Sequence, residues 1–145
     1  NTTSVYPASA REAIGQRIAA IESHGLGAVS MHTMTRFFSA QFRQDQAATV
    51  ARHQRLLEST DPEGYIACAA AVCEVNTSAR LNQIRIPTLV IASEYDEGTP
   101  LDMALALARA IARAQLVTLA GCAHLSPVEQ PRAFSDVVGE FVASL

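Results

Sequence analysis

The sequence has no tryptophan, only three cysteines and no long apolar segment. Its longest strongly apolar stretch, residues 88–92, is far shorter than the roughly 20 residues that span a bilayer, so no membrane segment is expected. Three cysteines without a C-x-x-C pair do not make a disulfide scaffold in a chain of this size, and a reducing cytoplasm fits them best. We expect Cys68, Cys73 and Cys122 to be buried and unreactive.

The sequence also has no excess of positive charge. It contains 11 basic and 14 acidic side chains, which give a net charge of -3. No basic run lies along any predicted face, so the surface expected of a nucleic-acid-binding protein is missing. A length of 145 residues with 49% hydrophobic and 17% charged side chains is typical of one soluble globular domain. These values predict a small molecule or a protein as the partner.

The chain begins Asn-Thr-Thr-Ser, with no methionine and no charged and apolar segments of a signal peptide. We therefore expect a fragment or a processed chain.

The first half of the sequence predicts helices throughout. Ile14, Ile18 and Ile21 follow the spacing i, i+4, i+7, and His24-Gly25 supplies the end of that helix. Further helices are predicted over residues 26–42, over 46–58, from the Asp61-Pro62 pair onward, and over 77–83.

The second half predicts a β-α-β-α unit. Residues 88–92 form a short β-branched run that predicts a strand buried on both faces, and 115–119 predict a second strand. Helices are predicted from Pro100 to Arg113 and over 131–144, and a crossover of this kind joins parallel strands. The fold class is therefore α/β. Two parallel strands alone leave an unpaired apolar edge, so we expect further strands from elsewhere.

An acid and a histidine follow the two predicted strands. Asp96 follows the first strand in IASEYDEGTP, and His124 follows the second in LAGCAH. Both loops leave the same sheet edge, where ligands bind in open parallel sheets. Asp96 would then hold one ring nitrogen so that the other accepts a proton. The alternatives are a turn histidine and, for the acid, Glu94 or Glu97.

These stretches resemble a known family. RIPTLVIASEYDEGTP and AGCAHLSPVEQPRAFSDVVGEFV resemble the C-terminal part of α/β-hydrolase-fold enzymes, where the acid follows a late strand and the histidine follows the last one. TDPEGYIACAAAVCEVNTSARLNQIRIPTLVI is similar to the end of the helical cap in 3-oxoadipate enol-lactonases, and HLSPVEQP is similar to their HLSNVEQP. The opening NTTS resembles the loop that precedes the cap.

The resemblance implies that residues 1–84 are a helical cap segment and that 85–145 are the C-terminal part of the hydrolase core. It implies a serine-type carboxylic ester or lactone hydrolase with Asp96 as the acid and His124 as the base, and it requires no cofactor. The small-molecule partner would be an ester or a lactone.

The sequence departs from the family in two respects. It has no G-x-S-x-G, so the nucleophile and the oxyanion-hole amides would come from a second partner, the N-terminal half of the same hydrolase. Ile14 and Phe37 stand where the family tends to have tryptophan. The alternative function is a non-catalytic binding or scaffold protein on the same fold.

Candidate substrate-binding residues lie in the cap. Met34, Phe37 and Arg36 would face the substrate if the cap hypothesis holds, and Arg36 would meet the carboxylate of an anionic lactone. The alternatives are core packing for Met34 and Phe37 and a solvated surface position for Arg36.

Two other kinds of site are not expected. The remaining histidines have no ligand-like spacing with a cysteine or an acid, which speaks against a metal site. Cys122 lies too close to His124 in the chain to act as its nucleophile. Glu129 and Pro131 are expected to support the start of the last helix.

Overall fold

The computed structural model describes residues 1–145 and contains eight α-helices, one 3-10 helix and two strands. The first part comprises α1 (Ala8–His24), α2 (Gly27–Phe37), α3 (Ala40–Asp45), α4 (Ala47–Glu58), α5 (Pro62–Cys73) and the 3-10 helix (Ser78–Gln83). The second part comprises β1 (Thr88–Ser93), α6 (Leu101–Ala110), β2 (Ala114–Leu119), α7 (Ser126–Glu129) and α8 (Pro131–Ala143).

Local signals place the ends of α1 and α5 where the sequence predicts them. Helix α1 ends at Gly25, which has a φ of 74° and donates its backbone N–H to the carbonyl of Ile21 at 2.8 Å. Helix α5 begins after Asp61, whose carboxylate accepts the N–H of Gly64 at 2.8 Å. Both signals depend on residues within one turn of the helix end.

The single helix predicted over residues 26–42 is wrong, because the chain is extended at Phe38 and Ser39 and then starts α3. The Ser39 hydroxyl accepts the N–H of Phe42 at 3.2 Å and caps the new helix. The break turns Phe38 inward, where it is fully buried and stacks on Phe42 with ring centroids 5.3 Å apart. Burial of an aromatic ring and a new cap thus replace the helical hydrogen bonds lost at the break.

The two strands form a parallel pair, with Thr88 opposite Ala114 and Ser93 opposite Leu119. Helix α6 makes the crossover and packs against both strands, which confirms the predicted α/β class. The cluster of buried side chains under α6 is Leu81, Val90, Ala92, Ala104, Leu107 and Ile111.

Strand β1 is buried on one face only, contrary to the prediction. Val90 and Ala92 point into the cluster under α6, while Leu89 and Ile91 keep part of their surface exposed. Side chains alternate between the two faces of a strand, and nothing in the chain fully covers the second face.

The last helix, α8, has the predicted bounds to within one residue, and the short helix α7 before it was not predicted. Its apolar stripe is only half-buried: no α8 residue is fully buried, and Val142 is 60% exposed. The apolar face of α8 is therefore covered less completely than that of α6.

A second cluster lies inside the helical part, where Ile21, Leu26 and Val29 pack with Leu57 and Ile66. The division between residues 1–84 and 85–145 stays a prediction. Two side chains from before that boundary, Leu81 and Ile84, pack on the cluster under α6, so the 3-10 helix is continuous with the core.

The cysteines differ in environment. Cys122 is fully buried, whereas Cys73 is partly exposed and Cys68 is exposed, so the expectation of three buried thiols is wrong for the two in α5. Most of α5 faces outward, with Ala69 as its one buried residue. No helix is both long enough and apolar enough to cross a bilayer.

Candidate active site

The loops after β1 and β2 bring Asp96 and His124 into contact. The Nδ1 atom of His124 lies 2.8 Å from Oδ2 of Asp96, and this is the only carboxylate–cation pair in the chain within ion-pair distance. The residues are 28 positions apart, and the parallel strands place their loops side by side. The acid and the histidine predicted from the sequence therefore meet at the carboxyl edge of the sheet.

Asp96 is held rigidly in its loop and is only 3% exposed. Its Oδ1 atom accepts the backbone N–H groups of Gly98 at 2.8 Å and Thr99 at 3.0 Å, and its Oδ2 accepts the Thr99 hydroxyl at 2.7 Å. Burial by itself raises the pKa of Asp96, but the hydrogen bonds from His124 and Thr99 together outweigh it and keep that pKa below its ordinary value. Asp96 is therefore an anion at neutral pH.

His124 keeps a reactive nitrogen available. With Nδ1 on Asp96, the carboxylate favours the tautomer that carries its proton on Nδ1, which leaves the lone pair of Nε2 as the base. No group of this chain forms a hydrogen bond to Nε2, and the side chain is 29% exposed. The arrangement suits proton transfer to and from a bound group.

Phe37 at the end of α2 lies directly against the histidine. The two rings stack with centroids 5.6 Å apart and an angle of 18° between their planes. The backbone also joins here, since the N–H of Leu125 donates to the carbonyl of Phe37 at 3.0 Å. The end of α2 therefore fixes one face of the imidazole.

Glu129 connects the histidine loop to the break between α2 and α3. Its carboxylate accepts the N–H of Ala123 at 2.7 Å, the Ser39 hydroxyl at 2.6 Å and the Ser39 N–H at 3.1 Å. From its place in the sequence, Glu129 is expected only to add charge near the start of the last helix. Because Ser39 and Glu129 are 90 residues apart, no local pattern could have revealed this contact.

Asn1 supports the same loop from the other side. Its side-chain amide donates to the carbonyl of His124 at 2.6 Å and to the Ser93 hydroxyl at 2.9 Å. The Asn1 backbone nitrogen also donates to the carbonyl of Ile91, 2.6 Å away on β1. Nothing in the sequence around Asn1 predicts this role.

The alternatives to Asp96 lie elsewhere. Glu94 is exposed and accepts the N–H of Gly121 at 2.7 Å, and Glu97 is exposed as well. Cys122 donates its thiol to the carbonyl of Leu119 at 3.5 Å, and burial raises the pKa of that thiol. A buried thiol with a raised pKa is a poor nucleophile.

The three predicted substrate-binding residues are placed differently. Phe37 is at His124, and Arg36 lies over the acid loop, where a Cβ atom added to Gly98 would be 2.7 Å from its Nη2. Met34 is 2% exposed and borders a separate depression between α2 and α4. Contact between Met34 and a substrate stays a prediction, and the buried position of Met34 does not support it.

A depression of about 830 Å³ separates the break between α2 and α3 from the acid loop. Residues 38–41 at the break form one wall, and residues 94–97 with Ala123 form the other. A small molecule in this space would lie between that break and Asp96. The chain contains no group of three or more histidine, cysteine, aspartate or glutamate side chains placed to hold a metal ion.

With this geometry in place, comparison with known proteins gives the family. A family model described as the alpha/beta hydrolase fold matches residues 6–131, and the chain belongs to this family. The match includes both Asp96 and His124.

The chain is similar to curated hydrolases. It is 32% identical to 3-oxoadipate enol-lactonase 2 of Acinetobacter baylyi over 118 residues, which covers 81% of this chain and 44% of that protein. It is 37% identical over 68 residues to 2-hydroxymuconate semialdehyde hydrolase of a Pseudomonas species, with 47% of this chain and 24% of that protein covered. The chain thus spans less than half the length of these relatives.

Solved structures agree on the fold. The enol-lactonase from Burkholderia xenovorans superposes with a TM-score of 0.87 at 26% identity, covering 91% of this chain and 50% of that one. A hydrolase from Pseudomonas aeruginosa superposes with a TM-score of 0.88 at 31% identity, covering 97% of this chain and 52% of that one.

Proposed function

We propose that this chain supplies the acid and the base of a serine-type hydrolase that cleaves carboxylic esters or lactones. The observation that carries the proposal is the hydrogen bond of 2.8 Å from His124 Nδ1 to the buried Asp96, which leaves Nε2 without a partner in the chain. The similarity to enol-lactonases supports lactones as substrates.

In the proposed mechanism, Nε2 of His124 removes the proton from a serine hydroxyl as its oxygen attacks the carbonyl carbon. The imidazolium that forms is stabilised by Asp96, and it then gives its proton to the leaving alkoxide or enolate oxygen. Nε2 next removes a proton from water as the water oxygen attacks the acyl carbon. The imidazolium then returns that proton to the serine oxygen as the carboxylic acid leaves, which restores the free serine and the neutral histidine. Phe37 limits rotation of the ring during these steps.

The serine and the oxyanion-hole amides would come from an N-terminal half that carries strand, G-x-S-x-G and helix. The chain's coverage of about half of each enol-lactonase supports this partner. The unpaired edge of β1 supports it too, because open parallel edges favour pairing with further strands. We call the chain joined to this half the complete hydrolase, and we expect it in the cytoplasm.

The test is the rate at which the complete hydrolase cleaves an activated ester, compared with its His124→Ala variant. The N-terminal half is first identified, either as the sequence encoded directly upstream of this chain or as a chain that co-purifies with it. We expect His124→Ala to lower kcat by at least about 10³-fold, because no other group can take the serine proton. Exposed His24 at the end of α1 offers a matched control, and His24→Ala should still cleave the ester.

Equal rates in His124→Ala and in the unmodified protein would contradict the catalytic assignment. A partner half without any nucleophile at the strand-to-helix turn would instead support the alternative, a binding or scaffold protein on the same fold.

A further inference from the structure

The side chain of Asn1 lies in a polar cluster next to the histidine loop. Its amide nitrogen, Nδ2, is 2.6 Å from the carbonyl oxygen of His124 and 3.3 Å from that of Ala123. The same nitrogen lies 2.9 Å from the hydroxyl of Ser93 and 3.4 Å from that of Ser126, and both serines are buried. One amide group therefore contacts the end of β1, the backbone of the proposed base and the start of α7.

These contacts determine which way round the amide of Asn1 lies. Carbonyl oxygens only accept hydrogen bonds, so the donor Nδ2 must face the carbonyls of Ala123 and His124. The acceptor Oδ1 then occupies the other arm of the amide group. That oxygen is buried, and no donor of the chain forms a hydrogen bond to it. Because buried acceptors in folded proteins nearly always have a donor, Oδ1 marks a contact that this chain alone does not complete.

Asn1 lies on the edge of β1 that β2 leaves open. The backbone nitrogen of Asn1 donates to the carbonyl of Ile91, 2.6 Å away. Residues separated by an odd number of positions direct their backbone groups to opposite edges of a strand, and Thr88 and Glu94 both donate toward the β2 side. The N-terminal half proposed above would pair with this open edge. It would then lie beside Asn1, where Oδ1 lacks a donor.

We propose that Asn1 is a positioning residue of the complete hydrolase, whose Nδ2 holds the histidine loop on β1 and whose Oδ1 accepts a hydrogen bond from the N-terminal half. This inference rests on the proposed function. Asn1 binds the backbone of His124 and forms no hydrogen bond to its ring, so it acts through the loop and not on the substrate.

The reaction explains why such a contact matters. The serine hydroxyl and Nε2 of His124 have to lie within hydrogen-bond distance for the proton to move, yet the two groups would belong to different halves of the protein. A side chain that binds both the histidine loop and the N-terminal half fixes the distance between them. Displacement of a reacting group by about 1 Å is enough to slow a reaction by up to roughly 10²-fold.

The first test is the reaction of the complete hydrolase with a para-nitrophenyl alkylphosphonate. The serine oxygen bonds to phosphorus, one para-nitrophenolate leaves, and the serine proton passes to His124. We expect Asn1→Ala to lower the rate constant of this release at saturating phosphonate by about tenfold, because the base is no longer held at the serine. The phosphonate concentration that gives half the maximal rate should not change, since Asn1 does not touch the probe.

The amount of para-nitrophenolate released separates positioning from folding. Each folded site releases one equivalent and does not turn over, so a variant that fails to fold lowers the amount, whereas a misplaced base lowers the rate alone. Asn1→Ala should therefore still release about one equivalent per site. The matched control is Asn82→Ala in the 3-10 helix, because the Asn82 side chain is exposed, and its rate and amount should equal those of the unmodified protein.

Hydrogen exchange followed by mass spectrometry tests the bond to the N-terminal half. Asn1→Ala removes both arms of the amide, whereas Asn1→Asp keeps an oxygen at the place of Oδ1 and loses the donor Nδ2. We expect one peptide of the N-terminal half to exchange about tenfold faster in Asn1→Ala and at the unmodified rate in Asn1→Asp. Phosphonate should react slowly with both variants, because both lose the bond to the carbonyl of His124.

An unmodified rate of para-nitrophenolate release in both Asn1 variants would overturn the positioning role. Faster exchange confined to residues 120–126 in Asn1→Ala would overturn the contact with the N-terminal half and would assign ordered water to Oδ1. Failure of the unmodified complete hydrolase to react with the phosphonate would instead contradict the proposed function, and the exchange measurement would still decide whether Asn1 contacts the N-terminal half.

Discussion

At the scale of single residues, the site depends on three carboxylates with different partners. Asp96 binds the imidazole, Glu129 binds the loop that carries it, and Glu94 binds the turn at Gly121. Each accepts backbone N–H groups or side-chain donors that would otherwise be unsatisfied. The partners decide the three roles, because aspartate and glutamate side chains carry the same carboxylate group.

The first prediction concerns the contribution of Asp96 to the free energy of unfolding at acid pH. Its pKa in the folded state is lowered, so the unfolded state takes up its proton more readily. The stabilisation is complete above the ordinary carboxyl pKa of about 3.9 and is lost as the pH falls through the lower folded value. We expect Asp96→Asn to remove this part of the pH dependence of the free energy of unfolding, measured by urea denaturation of the complete hydrolase. An identical pH profile in the variant would contradict the account of Asp96.

The second prediction concerns Glu129. Glu129→Gln places an NH₂ group where the carboxylate accepts donors from Ser39 and Ala123. We expect the free energy of unfolding to fall by about 1–3 kcal/mol, because buried donors lose their acceptor. The kcat for the activated ester should fall as well, since the residue before His124 loses its support. Glu140→Gln on exposed α8 is the matched control, and equal behaviour of the two variants would exclude this role for Glu129.

Asp96 and His124 could be predicted as a pair because each follows a strand, and parallel strands bring such loops together. The residues that hold the loop of His124 in place could not be predicted. Asn1 contacts the histidine loop across 123 residues, and Glu129 joins that loop to Ser39, 90 residues away, so only the folded chain brings these groups near.

At the scale of elements, helix ends set by local residues follow the prediction, and ends set by distant contacts do not. Gly25 and the Asp61 cap lie where the sequence indicates them. The break between α2 and α3 depends on the burial of Phe38 and on the bonds from Ser39 to Glu129. Residues 26–42 carry no glycine or proline at the break that would announce it.

Two glycines of α1 give the third prediction. Gly25 ends the helix at a φ of 74°, whereas Gly15 lies inside the helix, and an added Cβ would touch nothing at either position. Gly25→Ala should destabilise the fold by about 1–2 kcal/mol because of backbone strain alone. Gly15→Ala should stabilise it by about 0.5–1 kcal/mol through reduced entropy of the unfolded chain. Thermal unfolding of the complete hydrolase measures both, and effects of the same sign would contradict this account.

At the scale of the whole molecule, the two-stranded sheet supports the proposal that the chain joins an N-terminal half. Strand β1 pairs only with β2, and Leu89 and Ile91 keep surface exposed on its second face. Isolated pairs of strands are marginal in water, and open parallel edges favour association. The β-α-β unit and the order of acid and histidine were sufficient to predict the α/β class. The partly exposed apolar faces of β1 and α8 could be recognised only in the folded chain, because they depend on what packs against each element.

The most direct test of the central claim is a burst experiment on the complete hydrolase with para-nitrophenyl valerate. If His124 activates a serine and Asp96 holds its tautomer, para-nitrophenol should appear in a rapid burst of about one equivalent per site as the acyl-enzyme forms. The burst should be absent in His124→Ala and in this chain alone, and slower by roughly 10³- to 10⁴-fold in Asp96→Asn. A burst of the same rate and size in His124→Ala would contradict the assignment of His124 as the base.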